Sequence, residues 1–195
     1  MRCTCPLLTQ SGHRPLPVCC LKSVRWPVLS LGKAPQVPGR LELVLAKRQF
    51  QVFVDYAHTP DALANVLKTL RELQPHRLIA VFGCGGDRDR QKRPLMAEMA
   101  DRLADYSIIT SDNPRKEDPG AIIAETEKGF RSNHYEKIVD RTEAINRAVA
   151  LAGPRDIVLV AGKGHENYQE FADYTIPFDD IQVARRAIED HPVEL

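Results

Sequence analysis

Asp112-Asn113-Pro114-Arg115 follow an apolar run at residues 106–110, and their types suit the recognition of a carboxylate. An Asp ahead of an Asn-Pro step favours a turn. Pro114 fixes its own φ and keeps Asn113 out of helical space, so Arg115 projects a planar guanidinium from a stiff base. Such a fork pairs with a carboxylate or phosphate through two parallel hydrogen bonds, and the Asn113 amide can add a donor, or an acceptor for an ammonium. An amino-acid head group would fit. The same four residues also make an ordinary surface turn with a solvated Arg, so the neighbouring segments decide between the two.

Three further runs share the arrangement of an apolar stretch that ends in a polar or Gly-rich loop. QVFVDYA at 51–57 leads into His58-Thr59-Pro60, and a stretch to about Leu73 follows with Leu63, Val66, Leu67 and Leu70 at helical spacing. Residues 78–82 open into Gly83-Cys84-Gly85-Gly86-Asp87-Arg88-Asp89, with a helix expected from near Pro94. IVLVA at 157–161 runs into Gly162-Lys163-Gly164-His165-Glu166, and a weaker strand candidate at 137–139 precedes a helical pattern at 142–151. Continuous apolar runs alternating with helices indicate strands buried on both faces. The expected fold is therefore α/β: a doubly wound, mostly parallel, Rossmann-like sheet with helices on both faces. Loops after parallel strands gather at one edge of such a sheet, so Asp55, His58, Arg88, Asn113, Arg115, Lys163, His165 and Glu166 can meet in one crevice.

Neither Gly-rich loop matches a nucleotide fingerprint. The sixth position of the first is Arg88 rather than Gly, and no GxxxxGK[ST] occurs in the sequence. Glycines there still let backbone N–H groups approach an anion, with Arg88 adding charge. Gly162-Lys163-Gly164 also reads as a tight strand exit, and Cys84 as a small buried residue.

Taken together, VDYAHTPDAL (54–63), GCGGDRD (83–89) with KRPLM (92–96), DNPR (112–115) and GKGHE (162–166) resemble the C-terminal domain of the Mur ligases. The likeness is greatest to the MurE type, which adds meso-diaminopimelate to UDP-N-acetylmuramoyl-L-alanyl-D-glutamate in peptidoglycan synthesis. It runs from about Val37 to about Ile188. It implies an ATP-dependent amide ligase: a D-glutamate carboxylate is phosphorylated to an acyl phosphate, which the incoming amine attacks. Position by position it implies that Arg40, in Pro38-Gly39-Arg40, reaches the ATP phosphates, and that Asp55 and His58 lie at the nucleotide. It further implies that Arg88, Asp112, Asn113, Pro114, Arg115, Gly162 and Glu166 hold diaminopimelate. Lysine-adding members of the family differ in the DNPR segment.

Family members also carry an N-terminal domain for the UDP-sugar substrate and a central ATPase domain with a P-loop lysine and a Mg²⁺-binding acid. The 195 residues contain neither. ATP and Mg²⁺ are thus expected to be shared with a central domain, and the chain alone to be inactive or nearly so. It would be part of a longer ligase, or work with a separate chain that carries the N-terminal and central domains. The other class of reading is a non-catalytic module that binds diaminopimelate or a nucleotide, or a relic fragment.

The sequence divides at about residue 36. Residues 1–36 hold Cys3, Cys5, Cys19 and Cys20, several prolines and no acidic residue, and read as an irregular, basic arm: disordered, not genuine, or a metal knuckle. CxC followed by CC is a poor zinc pattern, so no metal is expected. Residues 37–195 form the ligase-like domain. The net charge of +1 gives no argument for nucleic acid. No stretch approaches the roughly 20 apolar residues of a membrane span. The lone Cys84 of the domain suits a reducing compartment, and the expected location is the cytoplasm.

Overall fold

Burial on both sides of each central strand organises the molecule. In the computed structural model, which describes residues 37–44 and 49–190, Leu78, Ala80, Phe82 and Cys84 face one layer of core while Ile79 and Val81 face the other. Ile157, Leu159 and Ala161 alternate in the same way with Val158 and Val160. Two buried faces leave no polar position, which is why these segments read as unbroken apolar runs.

The chain order is β1 (Glu42–Val44), β2 (Gln51–Asp55), α1 (Pro60–Arg71), β3 (Leu78–Cys84), α2 (Lys92–Leu103), β4 (Tyr106–Ser111), α3 (Pro119–Glu127), β5 (Tyr135–Lys137), α4 (Arg141–Leu151), β6 (Ile157–Ala161), β7 (Tyr168–Glu170), β8 (Thr175–Pro177) and α5 (Asp180–Asp190). The main sheet has the order β1-β2-β6-β3-β4-β5. Only β1 runs antiparallel to its neighbour. Helices α1, α2 and α3 cover one face and α4 and α5 the other, the doubly wound α/β arrangement expected. The arm at 1–36 and the tail beyond Asp190 lie outside the described residues.

Local chemistry starts the helices. Thr59 caps α1, its Oγ1 accepting from the Ala62 N–H at 3.3 Å, and Pro60 occupies the first turn. Asp118 and Asp140 cap α3 and α4 through the N–H groups of Ala121 and Glu143. Two expected boundaries move. The strand expected at 137–139 lies at Tyr135–Lys137, because Tyr135, stacked on Phe130 with centroids 4.3 Å apart, supplies the packed side chain while Val139 is 51% exposed. Helix α2 begins at Lys92 rather than near Pro94, which places Arg93 inside.

One buried ion pair ties the carboxyl edge of the sheet to the far helices. Arg141, at the start of α4, donates from Nε and Nη2 to the two carboxylate oxygens of Asp180, both at 2.8 Å. It also donates to the carbonyls of Ser111 and Ala161, at the ends of β4 and β6. Both side chains are fully buried. Removing one member of such a pair strands a charge in the core, so Asp180→Ala should cost about 3–5 kcal/mol in urea unfolding. The double change Arg141→Met with Asp180→Leu should recover most of that loss.

Candidate functional site

Four strand ends deliver one cleft. The loops after β2, β3, β4 and β6 line a cavity of about 340 Å³ with Tyr56, His58, Gly83, Gly85, Arg88, Lys92, Asp112, Asn113, Arg115, Gly162 and Glu166, joined by Tyr168 from β7. A crevice at the carboxyl ends of parallel strands, beside the point where β6 returns between β2 and β3, is where such sheets bind ligands. The cations Arg88, Lys92 and Arg115 and the carboxylates Asp112 and Glu166 share this one space. That composition suits a small zwitterion.

The 112–115 loop is held by close packing against the Gly-rich loop. Gly86 donates its N–H to the Asn113 carbonyl at 2.9 Å and accepts from Arg115 Nη1 at 2.9 Å through its own carbonyl. A methyl group on Gly86 would overlap the Pro114 carbonyl, so no larger residue fits there. Arg115 adopts φ +51°, in the left-handed region that non-glycine residues seldom occupy. Its Nε lies 2.9 Å from Glu170, and its backbone N–H donates to the Glu170 carbonyl. Two of its three guanidinium nitrogens are therefore engaged by the protein, and the fork is fixed by β7 as well as by Pro114.

Asn113 is buried and does not offer an acceptor to an ammonium, as its type had allowed. Its Oδ1 already accepts from Lys163 Nζ at 2.7 Å and from the Glu170 N–H at 3.0 Å, while Nδ2 donates to Glu166 at 3.0 Å. The carboxylates Glu166 and Asp112 of the cavity wall are left for that part, although the buried Asp112 Oδ1 is turned to Lys163, 3.4 Å away, with no hydrogen-bond partner among the described residues. Gly162, at φ +122°, makes the turn that brings Lys163 beneath the loop. Burial pushes the Lys163 ammonium below the ordinary lysine range, against the opposing pull of Asp112 and Glu166.

Of the residues singled out in the sequence, His58, Arg88, Asp112, Asn113, Arg115, Gly162 and Glu166 reach the cavity wall. Pro114 is buried behind it. Arg40 and Asp55 lie to one side. The Arg40 guanidinium sits 5.1 Å from the Tyr56 ring centroid, and Asp55 accepts the Leu41 N–H at 2.7 Å. His58 packs edge-on against the same ring at 4.6 Å, and His165 lies 5.3 Å from it. Tyr56 also donates to Glu166 at 3.4 Å, so it joins this cluster to the cleft. Burial and the neighbouring Glu166 raise the Tyr56 phenol above its ordinary range. Tyr56, Lys92 and Tyr168 were not singled out from the sequence. Tyr56 and Lys92 sit inside quoted motifs, but nothing around Tyr168 marks β7. Cys84 is buried, and burial pushes its thiol up to about 11, so it stays protonated.

A second network sets the Gly-rich loop. Arg93, fully buried, donates to Glu117 and Glu125, and Glu117 accepts the Asp87 N–H at 2.7 Å. No group of three His, Cys, Asp or Glu among the described residues is placed to hold a metal ion. No described helix is long and apolar enough to cross a membrane.

Comparison with known proteins gives consistent matches. The family model "Mur ligase, glutamate ligase domain" matches residues 39–164. The UDP-N-acetylmuramoyl-L-alanyl-D-glutamate--2,6-diaminopimelate ligase of Syntrophomonas wolfei is 56% identical over 158 residues, 80% of this chain and 32% of that protein. The Coxiella burnetii protein of the same name is 49% identical over 176 residues, 89% of this chain and 36% of its own length. A solved diaminopimelate ligase structure superposes with TM-score 0.75 at 50% identity, covering 80% of this chain and 32% of that one. A murein peptide ligase from Psychrobacter arcticus shares the fold at TM-score 0.59 and 18% identity, over 85% of this chain and 33% of its own. The chain spans about a third of the length of the curated relatives it matches.

The clamp on the Gly-rich loop should show in acid. The Arg93 guanidinium, with the Asp87 N–H, holds the Glu117 carboxyl down at about 2 from its ordinary 4.5. The stability this carries is whole above pH 4.5 and is lost as the pH falls from there toward 2. Glu117→Gln removes the titration, so its urea midpoint should fall less steeply than the parent's across that window. Parallel slopes would contradict the assignment.

Proposed function

The chain belongs to the Mur ligase family, and from that premise we propose that its cleft receives the amino acid such a ligase adds, and that this amino acid is meso-diaminopimelate. The observation that carries the reading is the division of one cavity between Arg88, Lys92 and Arg115 and the carboxylates Glu166 and Asp112. A carboxylate of the ligand pairs with Arg115 and the Asn113 N–H, and an ammonium is taken by Glu166, with the Asp112 carboxylate of the same wall adding negative charge beside it. The relatives' names, which specify 2,6-diaminopimelate, support the choice of ligand. L-Lysine has no distal carboxylate, so it would leave buried donors unpaired, and sites of that kind discriminate by about 10⁴.

The reaction proposed for the whole ligase is attack of the bound amine on an acyl phosphate of D-glutamate. The C–N bond forms, phosphate leaves and the nitrogen gives up a proton. ATP supplies the phosphoryl group when bound. Arg40 and His58, both exposed around Tyr56, are the groups of this chain that would meet its phosphates, beside Asp55. The P-loop and Mg²⁺ ligands are assigned to the two thirds of the relatives' length that this chain does not span. ATP affinity of the 195 residues alone is correspondingly weak, and the site of action is the cytoplasm, where such UDP-linked substrates are joined.

Arg115→Ala removes a charged hydrogen-bond donor and should weaken meso-diaminopimelate binding about 10–100-fold in calorimetry, with the circular dichroism spectrum unchanged. Equal affinity in the variant would count against the assignment. With Mg²⁺ and ATP, the chain by itself should form no amide between meso-diaminopimelate and UDP-N-acetylmuramoyl-L-alanyl-D-glutamate. A separately expressed chain supplying the P-loop and UDP-substrate regions should restore product. Product without it would place ATP activation within these 195 residues.

A further inference from the structure

Lys163 is fully buried and forms no part of the cavity wall, yet it stands beside Asp112, Asn113 and Glu166 of that wall. Its Nζ stands 2.7 Å from Asn113 Oδ1, 2.7 Å from the Tyr168 carbonyl, 3.4 Å from Asp112 and 3.7 Å from Glu166. The Tyr168 ring centroid is 5.6 Å away. Two donors, the Lys163 ammonium and the Glu170 N–H, converge on one terminal atom of the Asn113 amide. That atom has to be oxygen, since a lysine ammonium and a backbone N–H have nothing to accept with. The nitrogen must then face Glu166, where it donates at 3.0 Å.

We propose that Lys163 is a positioning residue for ligand specificity: its buried ammonium locks the Asn113 amide with oxygen inward and N–H groups outward. Asn113 is thereby restricted to donating, which favours a carboxylate at this point of the cleft and disfavours an ammonium. Lys163 also offsets one of the two negative charges of Asp112 and Glu166. The pair that would otherwise repel keeps a single net charge for a ligand ammonium. The identity of the selected ligand rests on the function proposed above, whereas the amide orientation stands on the hydrogen bonds alone.

The test compares Lys163→Met and Lys163→Arg with the unchanged 195-residue chain, using meso-diaminopimelate and L-lysine as calorimetric titrants. Folded Lys163→Met should lose tenfold or more of the ratio of the two affinities, while Lys163→Arg, which keeps a cationic donor, should retain most of it. A purely structural role would weaken both ligands alike, and an unaltered ratio in the folded Met variant overturns the proposal. NMR of the unchanged chain decides independently of any variant. Stronger nuclear Overhauser contacts from the Asn113 side-chain N–H protons to Glu166 than to the Glu170 N–H uphold the orientation, and the reverse overturns it. Failure of the unchanged chain to bind either amino acid would count against the proposed function, with the NMR contacts still deciding the role of Lys163.

Discussion

The side chain of Asn113 must satisfy three partners from two other segments in the protein interior, and the geometry of the cleft follows from that requirement. Its oxygen takes donors from Lys163, after β6, and from Glu170, in β7, while its nitrogen reaches Glu166. Meanwhile its backbone carbonyl holds Gly86, after β3. A buried amide with any of these unmet would cost about 1–3 kcal/mol, so the three loops have little freedom to move independently. The strain of the left-handed Arg115 backbone is tolerated in this setting because bonds from Gly86 and Glu170 hold the residue on both sides.

This rigidity is useful because the cleft must present opposite charges a few ångströms apart without their collapsing onto each other. Arg115 is braced by Glu170 and the Gly86 carbonyl, Glu166 by Asn113 and Tyr56, and Asp112 by Lys163. Arg115, Glu166 and Asp112 thus each have a protein partner that fixes their direction. Such an arrangement suits a zwitterion, since side chains already held in place lose little entropy when a ligand binds. The Tyr56 ring stands against Arg40, His58 and His165 and its hydroxyl reaches Glu166.

Much of this was legible in the sequence. Strands buried on both faces write themselves as continuous apolar runs, and β6 occupies Ile157–Ala161 as expected, with β2, β3 and β4 within a few residues. The residue types of the 112–115 loop and of Glu166 pointed to the cleft because strand ends in a parallel sheet have only one edge to share. Shorter elements left no trace: β1, β7 and β8 have three residues each, too few for any periodicity to register. The burial of Lys163, Arg93 and Arg141 was equally hidden, since long cations are ordinarily exposed and only their tertiary partners make burial tolerable. For the same reason the donor-only role of Asn113 could not be read from its type, which permits either polarity.

The most direct test of this cleft is a crystal structure of the chain soaked with meso-diaminopimelate. One ligand is expected in the cleft, with a carboxylate against Arg115 and the Asn113 amide nitrogen and an ammonium between Glu166 and Asp112. A cleft that stays empty at saturating ligand, or a ligand seated with its ammonium on Asn113, would contradict it.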